Sequence, residues 1–175
     1  MSVANMIPIR IILTLAMSFD CSIASGIHPE STIWRRSSSE NIITNTIFDG
    51  ANLTNSKFSA KGLSDKEFKA TTFNEVDFST MTLESSKFTS THIRNANFDG
   101  ADLRFVTFND VDFTDIKNKS LKDSNLFGSA FTYSDLSGLK FPTILKGNNF
   151  YHSDFTDADF SNIKIDSAIF LEGVL

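Results

Sequence analysis

Three histidines, a single cysteine and a close group of aspartates are the residues of this 175-residue chain with the widest chemical repertoire. Asp154, Asp157 and Asp159 have the density of a hard-cation site, which needs several oxygen ligands converging on one point. Asp154 and Asp159, however, are five residues apart and hold the same place in a period that runs along the chain, so they are expected on adjacent faces, pointing apart. His28, His92 and His152 are scattered, and His92 and His152 fall in outward slots, which favours surface residues over ligands. The lone Cys21 excludes an intrachain disulfide framework and a cysteine-based zinc site. Serines abound, yet an activated nucleophile needs a base oriented by a third group, and no such arrangement is visible. No phosphate loop or dinucleotide fingerprint is present. The expectation is a chain with no catalytic residues, no cofactor and no metal, hence not an enzyme.

The element that positions every other residue is the period itself. Phe48, Leu53, Phe58, Leu63, Phe68, Phe73, Phe78, Leu83, Phe88, Ile93, Phe98, Leu103, Phe108 and Phe113 recur every fifth residue without a miss. That step would scatter side chains around an α-helix and send alternate ones to opposite faces of a straight strand. A chain that instead bends by about a quarter turn every five residues points each of them at one axis, and four steps close a coil that stacks on the last. The residues two positions earlier (Ala51, Ser56, Thr71, Val76, Ser86, Ala96, Ala101, Val106, Val111) are small or aliphatic and share the inward face. Asn, Asp, Ser, Thr, Lys and Gly fill the remaining positions, as turns and a wet exterior require.

The segments NANFDGADLRFVTFNDVDF (Asn95 to Phe113) and HSDFTDADF (His152 to Phe160) resemble the pentapeptide-repeat family, whose pattern is a small residue, Asp or Asn, Leu or Phe, and two variable polar residues. The resemblance covers about three quarters of the chain and implies an all-β, right-handed quadrilateral β-helix over residues 46–175. The period breaks twice. Thr114 to Ser120 carries three extra residues before the count resumes at Leu121, Leu126, Phe131, Leu136 and Phe141. PTILKGNN then reads as four extra residues before Phe150, Phe155, Phe160, Ile165 and Phe170. With both breaks as bulging loops, one expected column is Phe48, Phe68, Phe88, Phe108, Phe131, Phe155 and another is Leu63, Leu83, Leu103, Leu126, Phe150, Phe170. About six coils at the ~4.8 Å strand spacing give a rod of about 29 Å.

Eighteen phenylalanines supply the core, and the net charge of −5 is modest, with sixteen basic side chains mixed among the acids. That balance argues against a nucleic-acid surface. Arg10, the apolar run Ile11 to Phe19 and the small residues of Ser22-Ile23-Ala24 resemble a bacterial secretory signal, so residues 1–24 are read as a leader and 25–45 as an N-terminal cap with Ile33 and Trp34 as plugs. The apolar run is too short for a stable membrane span. The expected location is secreted or periplasmic; delivery into a host cell by a type III system and a cytoplasmic location are the alternatives.

What remains for such a surface is to bind a protein. Phe105, Phe127, Tyr151 and Leu171, flanked by Ile144 and Leu145, are expected to form an apolar stripe for an unidentified partner, and Ile169, Phe170, Val174 and Leu175 a cap or a homodimer contact. The preferred reading is a non-catalytic, exported scaffold or secreted effector. The resemblance also admits a cytoplasmic, DNA-mimicking, gyrase-protecting protein of the quinolone-resistance type. Against it, Lys57, Lys61, Lys66, Lys69, Lys87, Arg94 and Arg104 interrupt the carboxylate stripe that imitation of phosphates requires.

Overall fold

The computed structural model describes residues 48–58 and 63–174, so the expected leader, the N-terminal cap and Leu175 lie outside the described residues. Eight three-residue strands follow one another: β1 (Glu67–Lys69), β2 (Lys87–Thr89), β3 (Thr107–Asn109), β4 (Ala130–Thr132), β5 (Ile144–Lys146), β6 (Asn149–Tyr151), β7 (Lys164–Asp166) and β8 (Ile169–Leu171). They pair only in parallel, in a six-stranded sheet ordered β1-β2-β3-β4-β6-β8 and a two-stranded sheet β5-β7. Isolated parallel bridges such as Thr72↔His92, Asp77↔Asn97 and Thr82↔Asp102 join successive coils on the other sides. This is the four-sided β-helix. Six stacked strands are separated by five full turns; the six coils expected from the sequence are reached only by counting the incomplete N-terminal one, where Phe48 stacks on Phe68 at 5.4 Å.

Each corner turns for a local reason. The residue two after most of the central apolar side chains takes a positive φ, as at Asn55 (57°), Glu75 (60°), Asn95 (55°) and Asp110 (56°), the described exceptions being Thr80, Asp115 and Thr143. In the regular corners a backbone bond closes the turn, for example Ser56 N to Leu53 O at 3.0 Å and Ala96 N to Ile93 O at 2.9 Å. A four-residue turn with positive φ at its third position favours Gly, Asn and Asp, which is why these residues fill the slot so often. Most inward hydroxyls two positions before the central residue satisfy backbone carbonyls, some of them on the preceding coil: Thr71 Oγ1 donates to Phe48 O (2.7 Å) and Ser153 Oγ to Phe131 O (2.8 Å).

The first break is a bulge, as expected. Ile116 stays buried, Lys117–Lys119 form one 3₁₀ turn outside the coil, and the ladder resumes with the Ser120↔Lys140 bridge. The second is not an insertion. Leu145 is fully buried and registers with Ile165, so the step from Phe141 is one residue short and the chain never leaves the coil. Pro142, itself buried, takes the corner in four residues, its ring holding φ near −65°.

This shift moves both expected columns. Phe131 is followed by Phe150 and Phe170, not Phe155, giving a first face of Phe48, Phe68, Phe88, Phe108, Phe131, Phe150 and Phe170, with neighbouring rings 4.9 to 5.5 Å apart. Leu126 is followed by Leu145 and Ile165, which complete the fourth face below Leu63, Leu83 and Leu103. The second face carries Phe73, Ile93, Phe113, Leu136 and Phe155, and the third Phe78, Phe98, Leu121, Phe141 and Phe160.

Candidate functional site

The expected apolar stripe divides into two patches on different sides of the solenoid. Phe105, Phe127 and Ile144 belong to the fourth face and its corner, and are 48%, 40% and 55% exposed. Phe105 and Phe127 sit on successive coils, linked by the bond from Phe105 N to Phe127 O (2.9 Å), with their rings edge to face at 5.3 Å. Phe105 holds a positive φ of 57°, costly for so bulky a residue. Its ring lies over Gly128, where an added Cβ would come within 2.7 Å of ring carbons; only glycine leaves room for it. Phe127, Pro142, Thr143, Ile144 and Lys146 line a surface depression of about 350 Å³. Leu145, expected in the stripe, is core.

Tyr151 and Leu171 register with each other on the first face and turn to its other corner. There Tyr151 meets Tyr133 edge to face at 5.5 Å, Tyr133 stacks on His152 at 5.0 Å, and His152 Nε2 lies 2.6 Å from Glu172 Oε2. Burial, then the nearby Glu172 carboxylate and Tyr133, hold the Tyr151 phenol above its ordinary range. The expected cap or dimer residues Ile169, Phe170 and Val174 are exposed at the C-terminal end, as is Ile165.

The aspartates serve the turns. Asp154 Oδ1 accepts from Thr156 N (2.8 Å) and Oγ1 (2.7 Å), and Asp159 Oδ1 from Ser161 N (2.8 Å). These bonds stabilise the charged carboxylates and lower both pKa values. Asp154 bridges Asp135 on the second face while Asp159 bridges Lys140 on the third, so the two do not converge. Among the described residues no group of three His, Cys, Asp or Glu could hold a metal ion, and no helix is long and apolar enough to cross a membrane.

The model of the family described as a pentapeptide repeat region matches residues 41–116. The chain carries a pentapeptide-repeat region. Among solved structures it is similar to that of a trypsin-treated form of QnrB1, a plasmid-mediated fluoroquinolone resistance protein, at 19% identity over 69% of this chain and 78% of that one, with a TM-score of 0.31. At that level the likeness carries no argument about function. No curated protein matches the chain.

One property of the solenoid is invisible when charges are counted along the chain. In the C-terminal half, Lys140, Lys146 and Lys164 stand on the third and fourth faces, Lys122 follows Leu121 on the third, and Lys117 and Lys119 occupy the bulge that leads to it. The first and second faces of the same coils carry Asp110, Asp112, Asp135, Asp154 and Glu172 with no Lys or Arg between them. The basic side chains expected to interrupt a carboxylate stripe all precede Phe105. Arranging the sequence in four columns shows this, provided the one-residue shortening before Leu145 is included.

Proposed function

We propose that this pentapeptide-repeat protein is an exported, non-catalytic scaffold that binds another protein through the fourth-face corner of Phe105, Phe127 and Ile144. The observation that carries the reading is the exposure of Phe105, Phe127 and Ile144, the last two lining a surface depression. Aromatic and aliphatic groups of this kind form the energetic centre of protein interfaces, and a polar rim is supplied here by Asn125, Lys146 and Asp123. The matching partner surface is apolar at its centre. Parallel ladders with one rigid core present such a patch with little ordering cost on binding.

Export rests on Arg10, the apolar run to Phe19 and the small residues before Ser25. The exposed Ile169, Phe170 and Val174 make the C-terminal end a surface for a second copy of the chain. DNA mimicry has less support, because the in-register carboxylates Asp112, Asp135 and Asp154 end after three coils.

The test is site-specific photocrosslinking in the producing cells, with a benzophenone amino acid at Ile144 or, as control, at Asp159 on the third face. A discrete adduct from position 144 alone is expected. Equal labelling from both positions, or none from 144, overturns the assignment.

A further inference from the structure

The depression beside Ile144 marks a break in the ladder between two coils. One coil higher, Leu103 N donates to Asn125 O (2.9 Å) and Asn125 N to Ala101 O (2.9 Å), the bonds that join successive coils on the fourth face. At the corner before them, Gly100 N donates to Lys122 O (2.8 Å). None of these has a counterpart where the next coil follows: among the described residues Leu126 N, Ile144 N and Asp123 N find no acceptor, and the carbonyls of Ile144, Ser124 and Pro142 lose the matching donors. The ladder closes again on either side, through Leu121 N to Lys140 O (2.8 Å) and Gly128 N to Lys146 O (2.9 Å). The four-residue corner is the cause. With Phe141 and Leu145 both held in the core, the chain between them is one residue too short to follow the coil above. Ladder N–H and C=O groups point from one coil to the next, and Asp123, Ser124, Leu126, Pro142 and Ile144 all line the depression of about 350 Å³. Main-chain groups withdrawn from bulk water need partners, so unpaired donors and acceptors face one another here beneath the apolar rim of Phe127 and Ile144.

We infer that this gap takes the side-chain carboxamide of a glutamine or asparagine on the partner's docking segment. A carboxamide offers an acceptor and two donors, the same groups that the missing peptide pairs would have supplied. Its oxygen accepts from Leu126 N or Ile144 N, and its NH₂ donates to Ser124 O. A carboxylate has no donor for that carbonyl and meets the Asp123 carboxylate on the wall, and an apolar side chain leaves every group unpaired. Phe127 and Ile144 cover the methylene stem. The inference rests on the scaffold reading, since it names what the partner inserts at the same corner.

The experiment is NMR of the full chain, first by hydrogen exchange and then by titration with the capped tripeptide acetyl-Gly-Gln-Gly-amide, its glutamate and methionine versions alongside. In the free protein the amides of Leu126 and Ile144 should exchange at least about tenfold faster than those of Leu103 and Asn125, which the ladder holds. The glutamine peptide should give saturable shifts confined to residues 123–127 and 143–146, with the other two peptides at least about threefold weaker. Inserting one glycine between Pro142 and Thr143 restores the five-residue step, and should slow exchange at both amides and abolish the glutamine preference. Leu126 and Ile144 amides as protected as that of Leu103 in the unmodified chain, absent shifts, or equal affinity for the three peptides overturn the proposal. The titration needs no partner, so it fails separately from the scaffold reading. A photoadduct from position 144 without a glutamine preference keeps the scaffold and removes the carboxamide, and a glutamine preference without an adduct does the reverse.

Discussion

Leu145→Ala distinguishes a continuous solenoid from one interrupted by a loop at PTILKGNN. Leu145 is fully buried, with Leu126 above it and Ile165 below. Truncating a buried leucine costs about 2 to 5 kcal/mol, more where the cavity cannot collapse. Here the rung below, Ile165, is half exposed and can relax, so the expected loss is about 2 to 3 kcal/mol. With a urea slope of about 2 to 3 kcal/mol per molar, the midpoint should fall by about 1 M. Because each coil touches only its neighbours, the damage should appear first at the C-terminal end. Hydrogen exchange should speed up at Lys164, whose amide donates to Thr143 O, and at Ile169, whose amide donates to Asn148 O. Ile144→Ala, at a 55% exposed side chain on the adjacent position, is the control and should stay within about 0.5 kcal/mol. If Leu145→Ala leaves midpoint and exchange unchanged, the residue lies in a loop and the register described here is wrong.

Phe88→Ala, which removes a ring stacked between Phe68 and Phe108 at 4.9 Å on either side, should cost about 3 to 5 kcal/mol in chemical denaturation. Gly128→Ala should destabilise by about 1 to 2 kcal/mol, because the position needs a φ of 66° and the new methyl meets the Phe105 ring; adding Phe105→Ala should recover the steric part, measured by a double-mutant cycle. The Asp102 carboxyl is held below its usual value near 3.8 by hydrogen bonds from Arg104. A depressed folded pKa contributes stability above the unfolded value and loses it as pH falls through the folded one, so melting temperature should drop below about pH 4, and Asp102→Asn should flatten that decline. Cell fractionation with N-terminal sequencing should find the mature chain starting at Ser25 outside the cytoplasm; an intact cytoplasmic chain would remove export from the proposal.

The fold was legible because nearly every step of the repeat states the same thing: a large apolar residue inward, usually a small or aliphatic one two positions before it, and turn formers between. The first break was legible too, since Lys117, Asn118 and Lys119 are polar and like columns resume on either side. The second was not. Pro142, Gly147 and the Asn148-Asn149 pair are the usual marks of a loop, and Leu145 arrives one residue early, so counting in fives passes over it. That single slip carried Tyr151 and Leu171 around one corner and joined them to Phe127, although they stand on another face. The same slip concealed the segregation of charge, which depends on which column each lysine occupies and not on how many there are. Tyr133 escaped notice because its slot, two residues after Phe131, is ordinarily polar; an aromatic residue in a positive-φ turn position is the signal that would have marked both it and Phe105.

The most direct test of the scaffold account measures folding and partner binding in one variant. Phe127→Ala removes a 40% exposed ring that meets the Phe105 ring edge to face, so thermal melting should shift by no more than a few degrees. In the same protein, the adduct formed from a photocrosslinker at position 144 should be lost. Unchanged crosslinking would contradict the account, and a collapse of folding would show that the corner seals the solenoid and does not serve a partner.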